Sequence, residues 1–270
     1  MAGGSRSPGQ SVTSKVLAII EVFETSRRSM TLTEISQQAE VPLSTTHRLV
    51  GELIDWGLLS YGPNGNIQLG IRLWAIAQNA GRQLRDTARP FIQDLYSLTG
   101  ETSHLAVRDG NSALYIERVY GTRRVPRASR VGGRLPLHAT AVGKVILAFD
   151  EPWVRTGYLQ RPLERHAPRT LTDPRRLAQE LNRVAEQGYA TTMEEVRAGS
   201  CSIAVPVYHT GRLGAAIGLV VASTHGHTLT KYLPVLRGVA QRIEASISHI
   251  PLESLLHTVV DPLPGTPREH

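Results

Sequence analysis

The sequence predicts an α+β protein: an N-terminal winged helix-turn-helix domain followed by a larger domain that mixes strands and helices. Three observations carry this prediction. Residues 12–55 contain three short segments with apolar residues at helical spacing. Two short strand-like runs then flank an Asn-Gly turn within residues 58–69. Beyond Ser103, strand-like runs stand between and before helical ones, which is typical of an α+β domain.

Length and composition limit the class of protein that this chain can be. The 270 residues suggest two domains, and 41% hydrophobic content is ordinary for a soluble globular protein. No run approaches 18 apolar residues, so no membrane span is expected. The single cysteine, Cys201, excludes an internal disulfide and any cysteine-based zinc site, and it fits the reducing cytoplasm where we expect the protein. The net charge of +7 is compatible with nucleic-acid binding but does not establish it.

The first domain is expected at residues 11–70, after a disordered leader at residues 1–10. Apolar residues at helical spacing mark a first helix within residues 12–23. Thr31 and Glu34 have the spacing of a capping box that opens a short second helix. Pro42 stands in the first turn of a third helix, where a missing N–H costs little. Two short helices joined by such a turn form a helix-turn-helix.

The third helix, within residues 41–59, has the pattern of a recognition helix. Its C-terminal half carries apolar residues at helical spacing, whereas its N-terminal half carries a polar run. The residues predicted to face a DNA groove are Ser44, Thr45, Thr46, His47 and Arg48. An ordinary amphipathic helix with a solvated polar run is the alternative. The hairpin around residues 62–65, interpreted as the wing, favours DNA binding.

Residues 71–100 are predicted to form linker helices, kinked or broken at Pro90. The second domain is expected at residues 101–250, and residues 251–270 are expected to be a disordered tail. Its predicted strands cover residues 103–107, 113–116, 189–193, 202–207 and 213–222, and its predicted helices cover residues 141–149, 173–188 and 228–250.

Three stretches in this order carry a resemblance to a known family. They are LSTTHRL at residues 43–49, RVGGRLPLHATAVGK at 130–144, and EEVRAG at 194–199 leading to SIAVPV at 202–207. With them the chain resembles the IclR (isocitrate lyase regulator) family of bacterial transcription regulators, from roughly Ser11 to Ile250. The resemblance implies a winged helix-turn-helix joined by a linker helix to a GAF-like effector-binding domain. It also implies homodimers or homotetramers, operator DNA as partner, and more often repression of a catabolic operon than activation.

The chain departs from the family pattern at three places. The family usually has a basic residue at the position of Leu43 and a β-branched or small apolar residue at that of Thr46. Cys201 falls one place before the position where many members carry cysteine, and Ser202 fills that position. We therefore assign Cys201 no functional role.

An effector-binding enzyme with a vestigial winged domain is the main alternative function, and a constitutive architectural DNA-binding protein is another. Gly143-Lys144 lacks the first glycine and the Ser/Thr of a P-loop. Residues 198–202 lack the second glycine of a G-x-S-x-G motif. His138 has no nucleophile beside it in sequence and is interpreted as a hydrogen-bonded structural histidine. We therefore expect no enzymatic activity, no cofactor and no metal.

Two predicted strands show an alternation that bears on ligand binding. In residues 202–207 and 215–222, bulky apolar residues alternate with small or polar ones. The face with the small residues could line a cavity or could pack closely on another layer, and the residues alone do not decide between these two alternatives. The resemblance favours an effector pocket.

The resemblance also suggests which residues line that pocket. The helix beginning near residue 141 would offer the backbone N–H groups of Ala141 and Val142 to a carboxylate. The hydroxyls of Thr192 and Ser202 would lie nearby. Gly218 and Val220 stand where members that bind very small acids carry serines, and they would form an apolar wall with room for a bulky ligand. The expected effector is an organic acid with an apolar or aromatic body, because a very small dianion would leave its oxygens unpaired against such a wall.

Overall fold

The computed structural model describes residues 11–25, 29–77, 82–121, 125 and 130–250 of the chain. The chain forms two compact units that divide between Ala80 and Gly81. The predicted leader and tail lie outside the described residues. No helix in the described part of the chain is long and apolar enough to cross a membrane.

In its described residues, the first unit has four helices and a hairpin. Its elements are α1 (Val12–Thr25), α2 (Leu32–Gln38), α3 (Leu43–Asp55), β1 (Leu59–Tyr61), β2 (Ile67–Leu69) and α4 (Ile71–Ala77). The capping box of α2 is present as predicted: Thr31 Oγ1 accepts from the Glu34 N–H at 3.2 Å, and Glu34 Oε2 accepts from the Thr31 N–H at 2.8 Å. The predicted hairpin is also present, with Leu59 opposite Leu69.

The hairpin is attached to the helices by both backbone and core. Met30, just before α2, exchanges backbone hydrogen bonds with Ile67 of β2 at 2.8 and 2.7 Å. One buried apolar cluster joins the helices to the hairpin, with contributions from Ile19, Ile35, Leu49 and Leu59. The orientation of the hairpin relative to α3 is therefore fixed by packing as well as by chain connectivity.

The second unit is built on a six-stranded antiparallel sheet. Its strands are β3 (Thr102–Asp109), β4 (Ser112–Val119), β5 (Arg134–Pro136), β6 (Ala190–Met193), β7 (Ser200–His209) and β8 (Arg212–Ala222). Their order across the sheet is β5-β4-β3-β8-β7-β6. Its helices are α5 (Arg82–Thr99), α6 (Ala141–Phe149), α7 (Pro152–Leu159), α8 (Pro174–Gln187) and α9 (Leu233–Ile247).

The two faces of the sheet have different layers of helices against them. The bulky residues of β7 and β8, such as Ile203 and Ile217, belong to a buried cluster with residues of α5 and α9. The small residues of the other face, such as Ala204 and Ala216, belong to a second cluster with residues of α6 and α8. The predicted alternation is therefore present, and over Ala204 and Ala216 the small face serves close packing against helices.

Of the two outcomes predicted at Pro90, a kink or a break of the helix, the break does not occur. Pro90 lies inside α5, which runs without interruption from Arg82 to Thr99. Its side chain is exposed, whereas Leu84, Ala88, Ile92 and Leu95 of the same helix are buried in the core of the second unit. Burial of that apolar face stabilises the helix enough to offset the one backbone hydrogen bond that proline cannot donate.

Helix α8 begins at a side-chain cap, and one predicted helix divides. Asp173 accepts from the backbone N–H groups of Arg175 and Arg176 and opens α8, which ends at Gly188 with φ of 78°. The segment predicted as one helix over residues 228–250 begins instead as 3-10 turns at Ser223–Tyr232 and continues as α9. Helix α7 was not predicted from the sequence.

Candidate nucleic-acid and ligand sites

Helix α3 presents a polar surface from its N-terminal half. Ser44, His47 and Arg48 are exposed and Thr45 is half-buried. Leu49, Val50 and Leu53 on the opposite side are buried. A hydroxyl, an imidazole and a guanidinium on one side of a well-anchored helix can donate to base edges and phosphates.

Thr46 does not belong to that surface, and its prediction as a DNA-contacting residue is wrong. Its side chain is 0% exposed, and its Oγ1 donates to the Val41 and Pro42 carbonyls at 3.1 and 3.2 Å. The reason is helical phase, because positions 46, 49, 50 and 53 share one stripe that faces the core. Thr46 fastens the start of α3 to the turn before it.

Arg48 is paired within its own helix. Its Nη1 lies 2.5 Å from Glu52 Oε1, and both side chains are 56% exposed. An exposed pair one helical turn apart contributes only about 0.3–0.5 kcal/mol. The guanidinium can therefore exchange Glu52 for a base or a phosphate at small cost.

Strand pairing brings three predicted effector-site residues into one row of the second unit. Thr192 of β6 lies opposite Ser202 of β7, which lies opposite Val220 of β8. Residues directly opposite in a sheet share a face. The Thr192 and Ser202 hydroxyls are hydrogen-bonded to each other.

This row lies beside a small cavity of about 30 Å³. The cavity has a mixed lining of charged, hydroxyl, aromatic and apolar side chains. Its lining residues are His104, Tyr115, Arg118, Leu135, Thr140, Thr192, Val196, Ser200, Cys201, Ser202 and Val220. The sequence predicted Thr192, Ser202 and Val220 among these residues.

The N-terminus of α6 reaches the cavity through Thr140, the residue before the two that were predicted. The side chains of Ala141 and Val142 are buried in the cluster between sheet and helices. Thr140 Oγ1 accepts from the Gly143 N–H at 3.0 Å, and the Thr140 carbonyl accepts from the Lys144 N–H at 2.9 Å. The N–H groups of Ala141 and Val142 are therefore the two of the first turn without an acceptor in their own helix.

The expectation that Gly218 leaves room for a bulky ligand is wrong. A Cβ at this position would stand 2.8 Å from the Ile203 carbonyl oxygen and 3.0 Å from His104 Nε2. Gly218 lies opposite His104 of β3, so the imidazole and the neighbouring backbone occupy the space above it. The glycine is needed for close packing rather than for ligand volume.

A positive charge and a neutral imidazole lie side by side in the lining of the cavity. Arg118 is 8% exposed and lies opposite His104, which is 2% exposed. Burial, together with the nearby charge of Arg118, lowers the pKa of His104 to about 3. The imidazole of His104 is therefore uncharged at neutral pH.

A larger cleft of about 510 Å³ lies elsewhere in the second unit, lined by charged residues of α6, α8 and the segments beside them. Lys144 lies at this cleft with 2% of its surface exposed and contacts Glu195 at 2.8 Å and Glu180 at 3.8 Å. Arg183 at the rim pairs with the same Glu180. Because Lys144 and Arg183 are engaged with Glu180 and Glu195 of the same cleft, we assign this cleft a structural role and place the ligand site at the smaller cavity.

His138 has the structural role that the sequence suggested. Its Nδ1 lies 2.8 Å from the Tyr158 hydroxyl and its Nε2 lies 3.0 Å from the Glu164 carbonyl oxygen. Both ring nitrogens are thus engaged, and burial lowers the pKa of His138 below its ordinary value. Among the described residues, no group of three or more His, Cys, Asp or Glu side chains could hold a metal ion.

Several lining residues were missed. His104 comes from β3, which pairs with β8, and Tyr115 and Arg118 come from β4 on the far side of β3. Local patterns do not specify this strand order. Thr140 could have been found, because a threonine directly before an apolar helical run is a typical N-cap. Cys201, to which we assigned no role, lines the cavity with a buried side chain.

Comparison with known proteins gives the same two-part division. The model of the IclR helix-turn-helix domain matches residues 12–63, and the model of the C-terminal domain of bacterial transcriptional regulator IclR matches residues 78–245. Together the two models account for nearly all of the described chain.

Curated relatives and solved structures match over most of the chain. The regulator XynR of Escherichia coli is 34% identical over 76% of this chain and 83% of its own length. The repressor AllR of the same species is 32% identical over 75% of this chain and 77% of its own length. A crystal structure of an IclR homolog from Microbacterium hydrocarbonoxydans, complexed with 4-hydroxybenzoate, is 33% identical with a TM-score of 0.83, covering 88% of this chain and 99% of that chain.

Proposed function

The chain belongs to the IclR family of bacterial transcriptional regulators, and we propose that it represses a catabolic operon until a small carboxylic acid binds its second unit. Family membership makes it a DNA-binding regulator with a ligand-binding C-terminal domain. The sign of regulation is proposed by analogy with the relative named as a repressor. The DNA-reading residues, the effector and the oligomeric state are likewise proposals.

The proposed DNA contacts are made by Ser44, Thr45, His47 and Arg48 from α3. Their exposure on one side of the helix supports this assignment, because a recognition helix presents its N-terminal residues to the major groove. The hairpin of β1 and β2 would contact the phosphate backbone or the minor groove beside it.

The effector is proposed to be a monocarboxylic acid with an apolar or aromatic body. The observation that carries this proposal is the lining of the 30 Å³ cavity, where a buried cation, five hydroxyl groups and apolar side chains converge. The carboxylate would sit at the N-terminus of α6 and accept from the Ala141 and Val142 N–H groups and from the Thr192 and Ser202 hydroxyls. The charge of Arg118 favours an anionic ligand in the same cavity.

Binding must enlarge the cavity, since a cavity that accepts benzene measures about 150 Å³. The turn between β6 and β7 is the best placed segment to move. Val196 in this turn lines the cavity, and the turn is closed by a hydrogen bond from the Gly199 N–H to Glu194 Oε1 at 2.7 Å. Both ends of the turn have positive φ, 58° at Glu194 and 81° at Gly199. The non-glycine residue in that conformation is strained, which favours an alternative arrangement of the turn.

The exposed apolar residues of the first unit support assembly of two copies. Leu17 in α1 and Ile71, Trp74 and Ile76 in α4 are large, apolar and exposed. Surfaces of this kind mark association sites, so we propose a homodimer, or a homotetramer formed from two dimers. Sedimentation of the full chain would test this, and a monomer at micromolar concentration would contradict it.

Titration calorimetry tests the effector proposal directly. Benzoate and 4-hydroxybenzoate should bind the full chain, whereas glyoxylate and pyruvate should not. Tight binding of a two- or three-carbon acid without any aromatic acid would refute it. Val220→Ser adds a hydroxyl to the apolar wall and should shift preference towards the smaller acids, and Thr192→Val should weaken every carboxylate that binds.

A further inference from the structure

His104 is a buried imidazole without a hydrogen bond at one of its nitrogens. Its Nδ1 is shielded from solvent, and no partner for it exists among the described residues. Buried polar atoms in proteins are nearly always satisfied, and those that are not mark places where a ligand or water completes the site. His104 also lines the proposed effector cavity, so a bound ligand can reach it.

The position of the ring over the sheet is set by Gly218. An added Cβ on Gly218 would stand only 3.0 Å from His104 Nε2, so the imidazole leans across β8. On the far side of β8 lies β7, with Ser202 on the same face. The absence of a side chain at position 218 therefore lets His104 face the hydroxyl row along the cavity.

The charge state of His104 limits what it can bind. Because its pKa is lowered to about 3, the ring is neutral in the physiological range. A neutral imidazole offers one N–H donor and one acceptor nitrogen. Such a group is suited to a hydroxyl, which also both donates and accepts, whereas a carboxylate can use only the donor.

His104 lies on a different strand from the hydroxyl groups of the proposed carboxylate site. His104 in β3 pairs with Gly218 of β8, whereas Ser202 in β7 pairs with Val220, so the two residues are two strands apart and offset by two residues along the strands. Their Cα atoms are therefore about 12 Å apart at the usual strand spacing and rise per residue. A six-membered ring with substituents at opposite ends spans this gap when each substituent makes a hydrogen bond of about 2.8 Å. A ligand with only one polar end would leave His104 unsatisfied.

We propose that His104 selects effectors carrying a hydroxyl group at the end of the ring opposite the carboxylate. The hydroxyl would donate to the imidazole, beside the positive charge of Arg118. This inference rests on the proposed function, since it requires an aromatic acid in the cavity. It assigns Thr192 and Ser202 to the carboxylate and His104 to the opposite end of the ligand.

Calorimetric titration of the full chain with 4-hydroxybenzoate and benzoate tests the inference. The wild-type protein should bind 4-hydroxybenzoate at least tenfold more tightly than benzoate. His104→Phe should bring the two affinities within threefold by weakening 4-hydroxybenzoate alone. Thr192→Val is the matched control and should weaken both ligands by the same factor. His104→Gln retains a donor and an acceptor and should keep a preference for the hydroxylated acid; it also serves if His104→Phe fails to fold.

The outcomes separate the two proposals. Equal, tight binding of both acids by the wild-type protein would overturn the role of His104 and leave the proposed effector class intact. Failure of both acids to bind, with binding of glyoxylate or pyruvate, would overturn the effector class itself. The preference for 4-hydroxybenzoate over benzoate should also be the same at pH 6 and pH 8, because the imidazole of His104 does not titrate in that range. A preference that changes with a midpoint near 6.5 would show a titrating imidazole and contradict the mechanism.

Discussion

Replacing Arg48 by alanine distinguishes two roles of this side chain, pairing with Glu52 within the helix and contact with DNA. In the free protein its guanidinium pairs with Glu52 at 2.5 Å, with both side chains 56% exposed. An exposed pair at this spacing stabilises a helix by about 0.3–0.5 kcal/mol. Arg48→Ala should therefore change the free energy of unfolding by no more than about 0.5 kcal/mol. If pairing with Glu52 is the only function of Arg48, DNA affinity should change equally little.

The expected effect on DNA binding is much larger. A bidentate contact between an arginine and a base contributes about 1–3 kcal/mol of discrimination. Its loss raises the dissociation constant by about 5-fold to 150-fold at 25 °C. This exceeds the small energy of the Arg48–Glu52 pair, so a single measurement can distinguish the two roles.

The assay requires a duplex that the protein itself selects. Wild-type protein would enrich its preferred sequence from a random library, and fluorescence anisotropy at a fixed ionic strength of about 0.15 M would then give the affinities. Glu52→Gln is the matched control, because it breaks the same pair but keeps the guanidinium and removes a negative charge near the phosphates. It should bind as tightly as wild type or more tightly. Binding of Arg48→Ala within twofold of wild type would refute the base contact.

Three further predictions follow from buried contacts. Thr46→Val should lower the free energy of unfolding by about 1 kcal/mol through its lost hydroxyl contacts, as measured by urea denaturation, and should leave DNA affinity unchanged. A fragment of residues 81–250 should fold by circular dichroism, whereas a fragment of residues 100–250 should not, because it lacks the buried face of α5. Burial raises the pKa of Glu195 above 4.5, so this carboxyl contributes stability below pH 4.5 that is lost as pH rises through the raised pKa. The stability of wild type relative to Glu195→Gln should therefore fall from pH 4.5 to pH 7, and a rise would contradict the direction of the shift.

The first unit could be predicted largely from its sequence because its determinants are local. The capping box at Thr31 and Glu34 and the turn at Asn64-Gly65 each depend on residues within four positions of one another. The error at Thr46 was also avoidable. Positions three, four and seven residues beyond it are apolar and buried, so helical phase places Thr46 in the core.

The ligand site could be predicted only in part, because its determinants are non-local. Ser202 and Val220 were predicted from the family resemblance, and the alternation of small and bulky residues identified only the two strands and their faces. The misjudged space above Gly218 has a different origin. His104, which occupies that space, lies 114 positions earlier in the chain and meets Gly218 only because β3 pairs with β8. No local pattern specifies that pairing, so the role of Gly218 could not be inferred from its neighbours in sequence.

The start of α6 determines where the small face of the sheet becomes a cavity. Over Ala204 and Ala216 this face is covered by helices. Two residues before Ala204 in β7, at Ser202, the same face lines the cavity beside the N-cap Thr140. The turn that we propose moves to admit a ligand contains Val196 in the cavity wall and the adjacent Glu195, which is paired with Lys144 of α6. A ligand that displaces this turn therefore acts on α6 from two directions, through the N-terminus of the helix and through the Lys144 ion pair. We expect α6 to be the first element through which effector binding is communicated beyond the cavity, since both of its connections to the cavity change when the turn moves.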